Sequence, residues 1–83
     1  MKIELKYFAS IREALGQGGE SIDTAAATTG ALRDELIARG GAYAQALARG
    51  KAVRLALNQT MADEAASLRE GDELAFFPPV TGG

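Results

Sequence analysis

EGDELAFFPPVTGG, Glu70 to Gly83, is the stretch on which the reading of the fold turns. Gly71-Asp72 is a turn signal. After it the chain alternates, with Leu74 and Phe76 on one face and Glu73, Ala75 and Phe77 on the other. Period two is the mark of a strand. Pro78 and Pro79 have no N–H to give to a sheet ladder, so the strand stops at them. Each also drives the residue before it into extended geometry. The chain therefore leaves the sheet in a set direction, and residues 79–83 form an extended, flexible tail reaching roughly 15 Å at about 3.3 Å per residue. Gly82 and Gly83 lack side chains, so a partner can close on their backbone. Such an end is a carboxylate on a thin stalk.

The rest of the chain supplies a body for that strand, residues 1–78 as one domain. KIELKYF, Lys2 to Phe8, alternates: Ile3, Leu5 and Tyr7 share one face, Lys2, Glu4, Lys6 and Phe8 the other. Ala9 to Leu15 reads as a short helix with Ile11 and Leu15 on the core and Ser10 as its cap. The glycine-rich turn of residues 16–19 leads to a weak strand, Glu20 to Thr24. Thr28 or Thr29 caps a helix running to Arg39, with Leu32, Leu36 and Ile37 as its apolar stripe and Gly40-Gly41 as its left-handed end. Tyr43 and Leu47 mark another short helix closed by Gly50, and Ala52 to Asn58 a strand with Val53, Leu55 and Leu57 on one side. Strands at both ends of a central helix predict an α+β fold, a mixed sheet of four to five strands with helices packed on one face.

Composition narrows the function. Eighty-three residues, 47% hydrophobic and 24% charged, make one folded domain. A net charge of −2 lacks the basic face of a nucleic-acid binder. No apolar run is long enough to span a membrane, and Met1-Lys2-Ile3-Glu4 lacks the apolar block of a signal peptide, so the expected compartment is the cytoplasm. The chain has no cysteine and no histidine, which removes the usual nucleophiles, general bases and zinc ligands. An enzyme acting alone, a metal site and a bound cofactor are not expected.

Two features remain. The sheet face turned away from the helices is charged but also carries Phe8 and Phe77, with Met61 close by in NQTM. It is either a partner patch or extra core tucked under a loop. The terminal carboxylate, ionised at neutral pH with a pKa near 3.5, is a poor electrophile until it is activated, for instance as an acyl-adenylate. Its carbon can then take sulfur or an amine, with another protein supplying the machinery. The bland alternative is an inert, frayed end, which Pro78-Pro79 argue against.

EGDELAFFPPVTGG, together with FASIREALG (Phe8 to Gly16), ALRDEL (Ala31 to Leu36) and LALNQTM (Leu55 to Met61), resembles the small subunits of molybdopterin synthase across essentially the whole chain. The glycine-heavy GQGG loop and Gly30, in the first turn of a helix, depart from that pattern. The resemblance implies a ubiquitin-like β-grasp sulfur carrier. An E1-like adenylyltransferase uses ATP to adenylate Gly83, sulfur drawn ultimately from cysteine through a desulfurase or rhodanese converts it to a thiocarboxylate (1-thioglycine), and the tail inserts into the synthase large subunit. There the sulfur passes to cyclic pyranopterin monophosphate within a heterotetramer, with the catalytic groups on the large subunit. On this resemblance the reactive end is Gly83 with Gly82, and the partner-facing residues are Phe8, Met61, Phe77, Pro78, Pro79, Val80 and Thr81. The alternatives are a sister carrier for thiamine or tRNA thiolation, a ubiquitin-like modifier joined to lysines, and a non-covalent module with an idle tail.

Overall fold

β1 (Lys2–Tyr7) alternates exposed and buried at every residue, as its sequence does, and the rest of the molecule assembles around it. The computed structural model describes residues 1–79. In chain order β1 is followed by α1 (Ala9–Leu15), β2 (Gly19–Asp23), α2 (Thr29–Ile37), α3 (Gly41–Ala46), β3 (Arg54–Leu57), β4 (Thr60–Ala62) and β5 (Glu73–Phe77). The strands form one sheet in the order β2-β1-β5-β3-β4. β1 and β5 run parallel, with Tyr7 opposite Phe76; β2 on β1, β3 on β5 and β4 on β3 are antiparallel. First and last strands are thus central neighbours, and the helices between them make the crossover that a parallel pair requires.

The core lies between the sheet and the helices. Ile3, Leu5, Tyr7, Leu55, Leu74 and Phe76 come from the strands, Ile11 from α1, Leu32 and Leu36 from α2, and Leu47 from the end of α3. Tyr7 stacks on Phe76 at 6.1 Å between ring centroids. This mixed five-stranded sheet with helices on one face is the β-grasp architecture.

Several local expectations shift. Ser10 lies inside α1, whose N-cap is Phe8 without a side-chain cap bond. Thr28 does cap α2, its hydroxyl accepting from the Ala31 N–H. α2 ends at Ile37 on Ala38 in right-handed geometry, and the φ of 77° at Gly40 instead opens α3. α3 closes on Leu47 rather than Gly50. The largest addition is β4, in a stretch that reads as loop. Asn58 and Gln59 join β3 to β4 with φ of 50° and 68°, the left-handed pair of a two-residue hairpin turn. The usual marker at the second position is glycine, and Gln59 hides the signal.

Candidate partner face and chain terminus

Strand register sets the outer face out as rows. Phe8 follows Tyr7, so it lies beside Phe77, the residue after Phe76 on the parallel neighbour; Arg54 is opposite Phe77 on the other side. The next row reads Lys6, Ala75, Ala56, Met61 across four strands. Phe8 (48% exposed) and Met61 (55%) are the exposed large apolar residues of these two rows, and Phe77 is half-buried. Ala75, on the same face, is 6% exposed because the neighbouring strands close over its single methyl. The structure therefore brings Phe8, Phe77 and Met61 together at one end of one face, with small residues between the aromatics and the methionine. Phe8 keeps extended backbone (φ −127°, ψ 155°) although β1 ends at Tyr7, and its N–H donates to the Phe76 carbonyl at 3.1 Å. Ala9 then turns the chain into α1 with φ 52°, a left-handed conformation that costs a non-glycine residue about 1–2 kcal/mol.

The chain end departs beside this patch. β5 ends at Phe77, and Pro78 and Pro79 follow half-buried. Pro78 closes one end of an open groove of about 140 Å³ between α1 and the approach to β3, floored by Ile11, Ala14, Ala46 and Val53 with Lys51 among its lining residues. Val80, Thr81, Gly82 and Gly83 lie outside the described residues. Phe76 points into the core, so adjacent phenylalanines have opposite surroundings: Phe76 is fully buried and Phe77 faces outward.

Two polar clusters on the helix side hold the scaffold rigid, and the sequence reading missed both. Arg33, 4% exposed, donates to the carbonyls of Leu47 (2.8 Å), Ala48 (2.7 Å) and Lys51 (3.3 Å) and to Glu64 Oε2 (2.7 Å). Arg49 binds the same Glu64, Asp34 and the Gly30 carbonyl. The Arg49 guanidinium beside Glu64 holds that carboxyl below its usual range, Arg33 helps, and partial burial opposes both. A signal was available, since Arg33 shares the helical stripe of Thr29, Leu32 and Leu36. In the second cluster Glu20 accepts from Tyr43 (2.6 Å), Tyr7 (2.8 Å), Gln17 (3.1 Å) and Arg39. Burial works against its ionisation, but the bonds from Tyr43, Tyr7 and Arg39 outweigh burial and leave its pKa lowered. Burial, then the bond to Glu20, pushes the Tyr7 phenol up.

Gly30 has a reason to be glycine. The first N–H groups of α2 are satisfied by the segment after β4: Thr29 donates to Ala66 O at 3.0 Å and Gly30 to Glu64 O at 2.9 Å. A Cβ on Gly30 would lie 2.9 Å from both the Glu64 carbonyl oxygen and Cβ. Backbone approach this close requires the missing side chain. Among the described residues no three His, Cys, Asp or Glu side chains converge on a metal position, and no helix is long and apolar enough to cross a membrane.

With this geometry in place, comparison with known proteins is specific. Residues 5–83 match the model of the ThiS family. The molybdopterin synthase sulfur carrier subunit of Haemophilus influenzae is 40% identical over 98% of this chain and 99% of its own. Among solved structures, small archaeal modifier protein 1 of Haloferax volcanii superposes with a TM-score of 0.76 at 28% identity, covering 95% of this chain and 98% of its own. A protein–protein complex of subunits 1 and 2 of the molybdopterin-converting factor of Helicobacter pylori contains a chain that matches with a TM-score of 0.70 at 26% identity, both chains covered fully.

Proposed function

This chain belongs to the ThiS family, and from that premise we propose that it is the sulfur carrier subunit of molybdopterin synthase, with the Gly83 carboxylate as its working group. One observation carries the reading. The central strand β5 delivers the chain end from beside the only cluster of large apolar side chains on the outer face of the described residues, so a protein covering Phe8, Phe77 and Met61 also receives the tail.

The chemistry follows from the carboxylate. An E1-like partner lets a Gly83 oxygen attack the α-phosphorus of ATP, expelling pyrophosphate and leaving an acyl-adenylate. The outer sulfur of a persulfide carried by a cysteine desulfurase or rhodanese attacks the acyl carbon and expels AMP, and a second thiol, as reductant, cleaves the resulting acyl disulfide to leave the thiocarboxylate and a disulfide. The product thiocarboxylate is a good nucleophile, which is why a carrier needs no cysteine. On the large subunit its sulfur bonds to an oxygen-bearing side-chain carbon of cyclic pyranopterin monophosphate as the carbon–oxygen bond there breaks and the oxygen leaves protonated, and water cleaves the resulting acyl–sulfur bond to return the Gly83 carboxylate. General acids and bases belong to the large subunit, since the carrier has no histidine or cysteine. Gly82 and Gly83 fit a buried channel, and Pro78, Pro79, Val80 and Thr81 line its approach. Two carriers and two large subunits form the assembly, in the cytoplasm, and the carrier itself holds no cofactor.

Intact-mass analysis after incubation with the adenylyltransferase, ATP and a sulfur source tests this. The expected product is heavier by the exchange of one oxygen for sulfur, and deletion of Gly83 abolishes both the gain and molybdopterin formation while the thermal midpoint stays unchanged. A deletion variant that still supports molybdopterin synthesis refutes the proposal. A second reading, as a protein modifier, is favoured by the likeness to small archaeal modifier protein 1; it predicts isopeptide conjugates of this chain on lysines in cells.

A further inference from the structure

Charge on the outer face is arranged as definitely as the apolar patch. Lys6 lies in the row of Ala75, Ala56 and Met61, and Arg54 lies opposite Phe77. Both are exposed, and neither belongs to an ion pair among the described residues. The arginines that do, Arg33, Arg39 and Arg49, are each bound to a carboxylate on the helix side. Toward the other end of the face the next row is acidic: Glu4 is in register with Glu73, one same-face step from Lys6 and Ala75. Lys2, the cation at that end, faces Asp23 in register. The face therefore carries, toward the chain end, two cations without an ion-pair partner among the described residues, with Ala75, Ala56 and Phe77 between them, and a carboxylate row that begins one step from Lys6 on the side away from the chain end.

The sheet fixes their separation. Lys6 on β1 and Arg54 on β3 are two strands apart, about 9.6 Å, and one same-face row apart, about 6.7 Å, so their Cα atoms lie roughly 12 Å from each other across the patch. Like charges brought onto such a pair are favoured only if they are negative, and a covering surface that buried these cations without partners would be rejected. We propose that Lys6 and Arg54 select and orient the covering protein, which carries two carboxylates about 12 Å apart around an apolar centre. Its identity as the large subunit of molybdopterin synthase rests on the function proposed above. The acidic end of the face excludes the reversed orientation, so the partner's carboxylates come to rest over the root of the tail. A nucleic acid or an anionic membrane fits poorly, because Glu4 and Glu73 share the surface.

The test is the rate at which the full-length chain associates with the purified large subunit at ionic strengths of about 0.01 M and 0.15 M, over which the screening length falls from about 30 Å to about 8 Å. The double variant Lys6→Glu/Arg54→Glu is expected to associate at least about tenfold more slowly at low salt and to lose most of the salt dependence, with its thermal midpoint unchanged because both side chains are exposed. Lys6→Gln/Arg54→Gln should fall between. A double variant with the wild-type rate and salt slope overturns the inference. Phe77→Ala separates the two failures: if it weakens binding while the charge reversal does not, the patch is the interface and only the charge assignment is wrong. If neither matters, the partner-face reading falls with it. A homodimer seen by sedimentation that the charge reversal dissolves, with heterologous association intact, would assign the face to a second copy and also overturn the inference.

Discussion

Replacing Gly30 by alanine sets two known effects against each other, and the structure says which wins. Within a helix Ala is favoured over Gly by about 1 kcal/mol, an upper bound at a position this early in α2. Against this, the new Cβ falls 2.9 Å from the Glu64 carbonyl oxygen and 2.9 Å from its Cβ. Glu64 cannot easily retreat: its carbonyl accepts from Gly30, and its carboxylate is gripped by Arg33 and Arg49. Overpacking of this kind costs about 1–3 kcal/mol, and weakening the Gly30–Glu64 hydrogen bond adds about 0.5–1.5 kcal/mol. The net expectation is a loss of roughly 2 kcal/mol, which at about 4–8 °C per kcal/mol for a domain of this size lowers the thermal midpoint by roughly 8–16 °C. Circular dichroism melting with urea titration measures it. A Gly30→Ala protein with a midpoint equal to or above wild type would refute the argument, because helix propensity would then have outweighed the contact.

Phe77→Ala should weaken binding to the large subunit by more than about tenfold, as loss of a central aromatic anchor does, while lowering the thermal midpoint by less than about 5 °C; equal losses in both would make Phe77 core. Glu20 has a lowered folded pKa, so its contribution is present above its unfolded pKa of about 4.3 and is lost as pH falls through the lower folded value. Wild type should therefore lose thermal stability more steeply on acidification from about pH 6 to pH 3 than Glu20→Gln does, and parallel curves would remove Glu20 from the account. Gln59→Gly relieves a left-handed non-glycine residue and should stabilise by about 1 kcal/mol, with a rise in thermal midpoint as the readout; no rise would mean that the turn holds no strain at that residue.

How much of the site was legible depends on the range of the interactions that build it. The outward direction of Phe8 and Phe77 could be read from alternation, because successive strand residues point to opposite faces whatever the neighbours are. Met61 could be offered beside them from the NQTM segment, and the resemblance alone made it a matching partner-facing position. Its strand, β4, is three residues long and hangs on a hairpin turn whose left-handed second residue is Gln59 rather than glycine. Lys6 and Arg54 looked like ordinary solvated charges. Their separation across the patch exists only once β5 is inserted between β1 and β3.

By itself, then, the sequence determined what local chemistry dictates. It contains the period-two strands, the proline stop after Phe77, the two bare glycines, and a composition without histidine or cysteine. Those properties depend on each residue and its immediate neighbours. Tertiary structure alone decided which strands adjoin, that Arg33 is buried among carbonyls, that Gly30 is glycine because residue 64 passes against it, and that cations and aromatics share one end of the outer face. Each of these is set by strand order or by residues well apart in the chain, 14 to 18 positions between Arg33 and its carbonyls and more than 30 between Gly30 and Glu64, and pairings over such distances are chosen by the packing of the whole core rather than by any local pattern.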